Sequence, residues 1–93
     1  MSYKIILSDN FEKKLQKLSN KNQIDKLKQT IITISTDPFD KSLNTHKLKG
    51  KLKDFYSIKC GYDCRIIFSI EYESEEVYLL LIDFGTHNQV YQN

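Results

Sequence analysis

The sequence predicts an α+β domain in the order strand, helix, helix, strand, strand, strand. A helix hairpin should pack on one face of a small, mainly antiparallel, twisted sheet. Apolar residues recur at helical spacing in two consecutive segments between residues 9 and 35. Three β-branched or alternating runs follow residue 54, each separated from the next by a short turn signal. The 93 residues are enough for one core and leave little for a second, so residues 1–93 are read as a single domain.

Tyr3 to Leu7 is short and mostly β-branched or apolar, and reads as the first strand. Ser8-Asp9-Asn10 supplies capping chemistry, with Asp9 and Glu12 fitting a capping-box variant. Phe11, Leu15 and Leu18 then recur at helical spacing, with lysines between them. Ser19-Asn20-Lys21-Asn22 breaks the pattern. In the second helix Ile24, Leu27, Ile31 and Ile34 form one stripe. Pro38 disfavours a helical residue before it and ends this helix.

Residues 37–54 read as a long lysine-rich loop, a length that in compact domains usually signals function or disorder. Phe55 to Cys60 is a short strand. Cys64 to Tyr72 alternates, with Cys64, Ile66, Phe68 and Ile70 on one side and Arg65 and Ser69 on the other. Val77 to Phe84 is apolar on both faces, as a central strand should be. If Ile66 and Phe68 face the helices, Arg65 faces away. Tyr56, Ile58 and Cys60 then share the core face, and Ser57 and Lys59 point outward. Lys59 and Arg65 should approach one another on the uncovered face, beside the tail that carries His87 and Tyr91.

Composition narrows the class. The charged and apolar fractions, 28% and 40%, are those of an ordinary globular protein rather than a disordered one. No stretch is apolar for long enough to span a bilayer, so no membrane role is expected. The N-terminus lacks the apolar run and small-residue cleavage site of a signal peptide, so a cytoplasmic protein is the expectation. Cys60 and Cys64 have no second ligand pair at metal spacing. A disulfide across the turn is conceivable, but a reducing cytosol favours two buried thiols acting as small hydrophobes.

Charge is unevenly spread. Lys41, Lys47, Lys49, Lys51, Lys53 and Lys59 crowd one stretch against Asp54, and Glu71, Glu73, Glu75 and Glu76 crowd a later one. Such a basic segment suits a polyanion or an acidic partner, and equally a solvated loop. Arg65 is the sole arginine.

Two histidines, an aspartate at a hairpin, a lysine, an arginine and a tyrosine suffice for acid–base chemistry on a phosphodiester. RNA supplies its own nucleophile, the 2′-hydroxyl. A protein cleaving it needs to remove that proton, stabilise the phosphorane and protonate the leaving 5′-oxygen, with no metal or cofactor. Each residue also has a plain structural reading: loop histidines for His46 and His87, a turn-former for Asp63, a packing residue for Tyr91.

Three motifs in order carry a resemblance. They are His46-Lys47-Leu48-Lys49-Gly50, then Gly61-Tyr62-Asp63-Cys64-Arg65-Ile66-Ile67-Phe68, then Gly85-Thr86-His87-Asn88-Gln89-Val90-Tyr91. Together they resemble the RelE/ParE toxin superfamily over essentially the whole chain, and most closely its YafQ and RelE/StbE branch. The resemblance implies a RelE-like fold and a toxin of a type II toxin–antitoxin module. It further implies an mRNA endoribonuclease acting on the ribosome, a cognate antitoxin as partner, and a toxin–antitoxin hetero-oligomer.

The resemblance also implies roles. His46 matches an active-site loop histidine of YafQ-like enzymes. Lys59 falls where YafQ has histidine and RelE has lysine, and Asp63 matches an active-site aspartate of YafQ. Arg65 lies where RelE has an arginine on the scissile phosphate. His87 matches the C-terminal histidine of YafQ, with general acid as its assignment, and Tyr91 suits stacking on a base. Lys47, Lys49, Lys51 and Lys53 are the expected RNA contacts. Cys64 departs from the pattern, standing where YafQ has tryptophan. The base stays open between His46, Lys59 and Asp63. The other reading of the same fold is a ParE-like inhibitor of DNA gyrase without nuclease chemistry.

Overall fold

A computed structural model describes residues 2–91. Strand β1 (Lys4–Leu7) leads into helices α1 (Asp9–Lys17) and α2 (Lys21–Thr36). Strands β2 (His46–Lys47), β3 (Tyr56–Lys59), β4 (Arg65–Glu73) and β5 (Glu76–Gly85) follow, then a short helix α3 (His87–Tyr91). The five strands form one mixed sheet in the order β1-β5-β4-β3-β2. Among the described residues only the β1–β5 pair is parallel. The α+β class and the helix pair on one sheet face are as the sequence predicts.

The helices start and stop for identifiable reasons. Ser8 caps α1: its Oγ accepts the Phe11 N–H at 3.1 Å and donates to the Ile82 carbonyl at 2.7 Å. The cap thus lies one residue before the expected Asp9, which instead joins Glu12 as first-turn acid near the helix dipole's positive end. Serine serves both directions because its hydroxyl donates and accepts. Asn20 caps α2 through Gln23 N–H at 3.1 Å. Asp37 leaves the helix at φ −153°, as the residue before Pro38 must.

Phe11 of α1 with Leu27 and Ile34 of α2 packs on Ile58, Cys60, Ile66, Phe68, Leu79, Leu81 and Phe84. Leu15, Leu18 and Ile31 line the edge of this core, and Ile24 of the expected stripe is half-buried outside it. The Phe11 and Phe84 rings lie 4.7 Å apart. Residues Leu79, Leu81 and Phe84 share the core because of a register shift: Ile67 pairs with Asp83 and Phe68 with Leu81, so Ile82 is an extra residue in β5. Strict alternation would have turned Phe84 outward.

Three expectations need correction. Residues 37–54 are not one open loop. They hold 3-10 turns at Lys41–Leu43 and Gly50–Leu52 and the edge strand β2, which pairs antiparallel with β3. Leu43 is buried and pins the segment. Asp40 caps the first turn, and its carboxyl is held below the usual carboxylate range by the Ser42 hydroxyl and then by the Ser42 N–H.

Cys60 and Cys64 are joined in a disulfide rather than being free thiols. The intervening turn brings their Cα atoms to 5.0 Å, inside the span a disulfide bridges.

The tail that carries His87 and Tyr91 forms a short helix, an element absent from the expected order. Thr86 and Gln89 form a reciprocal capping box, with Gln89 N–H donating to Thr86 Oγ1 at 3.2 Å and Thr86 N–H to Gln89 Oε1 at 2.9 Å. A side chain on Gly85 would bring its Cβ within 2.7 Å of Gln89 Oε1, so this cap needs glycine before it.

Candidate functional site

The sheet has two unequal faces. One carries the main core beneath α1 and α2. On the other, α3 lies against β5 and β4, with Val90 buried. Ser57 points to this second face, as strand parity predicts, but it is fully buried rather than open. Its Oγ accepts a hydrogen bond from the Tyr91 hydroxyl. Tyr91 is thereby anchored at both ends, by the helix that carries it and by the strand beneath.

Beside this contact is an open depression of about 430 Å³ lined by Asn44, His46, Leu48, Arg65, His87 and Tyr91. Four of the six predicted site residues therefore converge, from three different elements. β2 brings His46, which lies opposite Ser57 in register. The first residue of β4 brings Arg65, opposite Gly85 on one side and Lys59 on the other. α3 brings His87 and Tyr91 one turn apart, their rings edge to face at 4.5 Å.

His46 and Arg65 are each tethered by a hydrogen bond to a nearby carbonyl. His46 Nδ1 lies 3.2 Å from the Asn44 carbonyl. A carbonyl only accepts, so Nδ1 carries the hydrogen and Nε2 of the neutral ring keeps its lone pair. Asn44 presents that carbonyl from a left-handed backbone conformation, φ 50°, that asparagine tolerates. Arg65 donates through Nη1 to the Cys64 carbonyl at 2.9 Å, which engages one of its five N–H donors and holds the planar group. No carboxylate is among the residues lining the depression, which combines one guanidinium with two imidazoles. Such a lining favours an anion, and its bidentate donor suits a phosphate in particular.

The remaining predicted residues lie elsewhere. Lys59 is exposed and paired with Arg65 in register, but it is not in the lining. Asp63 sits in the β3–β4 turn at φ 49°, and its Oδ1 accepts the His87 backbone N–H at 3.4 Å. It acts on the first turn of α3, where N–H groups lack helical partners. Lys47, Lys49, Lys51 and Lys53 are all exposed along the segment that begins at β2.

Asn44, Leu48 and Ser57 are parts of this region that sequence reasoning did not single out as functional. A signal existed for Ser57, since parity put it on the same face as Arg65. Asn44 carried none beyond its place two residues before His46. Among the described residues no group of three or more His, Cys, Asp or Glu is placed to hold a metal ion, and no helix is long and apolar enough to cross a membrane.

Comparison with known proteins bears on the family and the fold. Residues 3–92 match the family model described as bacterial toxin of type II toxin–antitoxin system, YafQ. No curated protein matches the chain in sequence. Among solved structures, a YoeB/ParE toxin from Agrobacterium tumefaciens superposes with a TM-score of 0.76 at 16% identity, over 90% of this chain and 98% of that one. A chain of the archaeal RelE–RelB complex from Pyrococcus horikoshii gives 0.74 at 20% identity, over 96% and 99%. YafQ from E. coli gives 0.65 at 20% identity, over 96% and 98%. At these identities the structural likeness is one of fold.

Proposed function

The chain belongs to the YafQ family of bacterial toxins of type II toxin–antitoxin systems, and from that premise we propose that it is a ribosome-dependent mRNA endoribonuclease restrained by a cognate antitoxin. The observation that carries the reading is the convergence of His46, Arg65, His87 and Tyr91 on one depression free of carboxylates. A site built to inhibit by binding alone has no need of two imidazoles beside a guanidinium.

In the proposed reaction His46 Nε2 removes the proton of a 2′-hydroxyl. That oxygen attacks the adjacent phosphorus, and the Arg65 guanidinium takes up charge on the non-bridging oxygens. His87 protonates the departing 5′-oxygen, and the products are a 2′,3′-cyclic phosphate and a 5′-hydroxyl. The nucleophile comes from the substrate, so the step calls for no metal ion. Tyr91 offers a ring face for a base, and its hydroxyl bond to Ser57 fixes where that face lies. Of the three candidate bases, His46 is favoured. Asp63 is engaged with α3, and Lys59 stands outside the depression. Both support the site by position and charge.

The exposed Lys47, Lys49, Lys51 and Lys53 would track the RNA backbone. A formal net charge of only +2 gives weak general affinity for polyanions, which fits a substrate presented by the ribosome in the cytoplasm. The partner reading follows the same logic, since solved relatives include a RelE–RelB complex. An antitoxin covering the depression would exclude RNA by sterics and charge.

The test is to express the chain without its partner and map transcript 5′ ends, with a parallel assay of gyrase supercoiling. New 5′-hydroxyl ends inside translated codons are the expected result. Intact transcripts with blocked supercoiling would overturn the proposal in favour of gyrase inhibition.

A further inference from the structure

The turn between β3 and β4 is the hub from which half of the depression hangs. Its tripeptide, Gly61-Tyr62-Asp63, holds two residues in left-handed backbone conformations, Gly61 at φ 104° and Asp63 at φ 49°. For aspartate that conformation is tolerated rather than preferred. Two closures hold the tripeptide in place, the Cys60–Cys64 disulfide and the Cys60 N–H bond to the Cys64 carbonyl at 3.0 Å. From this hub Asp63 Oδ1 reaches the N–H of His87, and the Cys64 carbonyl holds Arg65 Nη1 at 2.9 Å.

The disulfide is reachable by solvent. Both cysteines line a groove of about 660 Å³ on the opposite side of the turn from the depression, between the helix pair and the start of α3. Cys60 is only 2% exposed, whereas Cys64 is half-buried and is the more exposed of the two. Lys14, Lys17 and Lys26 also line the groove. The Lys26 side chain runs so close over Gly61 that a Cβ there would lie 3.4 Å from its Cε. The Lys14 ammonium is itself paired with Asp83 at 2.5 Å, and Asp63 lines the same groove.

We propose that Cys60–Cys64 is a reversible thiol–disulfide exchange site, and that its reduction by a cellular dithiol loosens the placement of His87 and Arg65. A thiolate of the reductant attacks Cys64 Sγ, the S–S bond breaks, and Cys60 leaves as thiolate and takes a proton. The reductant's second thiol then displaces Cys64, which leaves protonated while the reductant becomes a disulfide. Two electrons pass to the protein and two thiols result. With one closure gone, Asp63 is free to leave its left-handed conformation and release the first turn of α3. The consequence for RNA cleavage rests on the nuclease reading above: the oxidised form is the better catalyst and the reduced form the weaker one.

The experiment uses the full chain and a Cys60→Ser/Cys64→Ser variant, each with and without dithiothreitol. Alkylation and mass measurement count free thiols, amide hydrogen exchange reads His87, and ribosomal mRNA cleavage reads activity. The expected result is no free thiol before reduction and two after it, faster exchange at the His87 amide, and cleavage slowed roughly tenfold by loss of alignment. The serine variant should match the reduced wild type and ignore dithiothreitol. Free thiols after aerobic purification, or identical His87 exchange in the two redox states, would overturn the proposal. If His87 exchange responds but neither state cleaves mRNA, the redox coupling stands and the nuclease reading fails.

Discussion

The Tyr91 hydroxyl donates to Ser57 Oγ, joining the last helix to a fully buried serine that lies opposite His46 in strand register. One hydrogen bond therefore fixes the distance between the aromatic side of the depression and its histidine edge. Ser57→Ala should lower stability by about 1 kcal/mol, the net worth of a neutral hydrogen bond. Tyr91→Phe should cost a similar amount, and the double variant little more than either alone, because both remove the same contact. Thermal or urea unfolding of the four proteins checks this. Equal, additive losses would mean that the bond contributes nothing.

The two histidines should separate by the leaving group. His46→Ala and His87→Ala are each expected to slow cleavage by roughly 10²- to 10⁴-fold, the usual contribution of general acid–base groups. A substrate whose 5′-bridging oxygen is replaced by sulfur expels a thiolate that needs no protonation. It should restore cleavage by His87→Ala and leave His46→Ala impaired. Rescue of His46→Ala instead would exchange the assigned roles of acid and base.

Gly85→Ala should act through Gln89. The added Cβ would sit 2.7 Å from Gln89 Oε1 and 3.2 Å from its Cβ, so the amide has to leave the Thr86 N–H. Loss of a cap of this kind costs about 1 kcal/mol. Gln89→Ala removes the same bond, so adding it to Gly85→Ala should cost little more, whereas Gly85→Ala by itself also carries the strain of a positive φ. Amide exchange at residues 86–90 is the measurement, and unchanged protection in Gly85→Ala would rule the mechanism out.

Reversing charge along the exposed lysine segment should affect affinity rather than chemistry. For Lys49→Glu/Lys51→Glu/Lys53→Glu the ribosome concentration giving half-maximal cleavage should rise several-fold. Its salt dependence should flatten as phosphate contacts are lost. The rate at saturation should hold. A fall in that rate with unchanged half-saturation would place these lysines in the chemical step.

Much of this architecture was legible from side-chain periodicity. Parity alone put Ile58, Ile66 and Phe68 in the core and set Lys59 against Arg65, because the two-residue repeat of a strand leaves no other choice. The extra residue Ile82 escaped it. A bulge is a pairing defect decided by the partner strand, and only the structure shows why Leu81 and Phe84 share a face. β2 was invisible because two residues carry no period. The cap of α3 was readable in Thr86-x-x-Gln89, but five residues are too few for helical spacing to announce a helix. The disulfide is not legible in sequence, because a reducing compartment argues against it and spacing alone does not bring the two Cα atoms to 5.0 Å. At the site, sequence identified the residue types. It did not show that Asp63 turns toward the α3 backbone, since this depends on a turn conformation that no neighbouring residue encodes.

The position of β5 between β1 and β4 has a consequence for how the chain comes into being. The sheet's first strand has to wait for its fifth: Lys4 finds its partner at Tyr78, and Leu7 finds its own at Leu81. Until that late segment arrives, β1 has no neighbour, Ser8 has no carbonyl to hold at Ile82, and Phe11 has no Phe84 to cover. Contacts so distant in sequence slow folding, and small single domains fold all-or-none. A nascent chain halted anywhere before Glu76 would therefore be an open fragment without a toxic intermediate, and the protein would acquire its structure and its potency in a single late event.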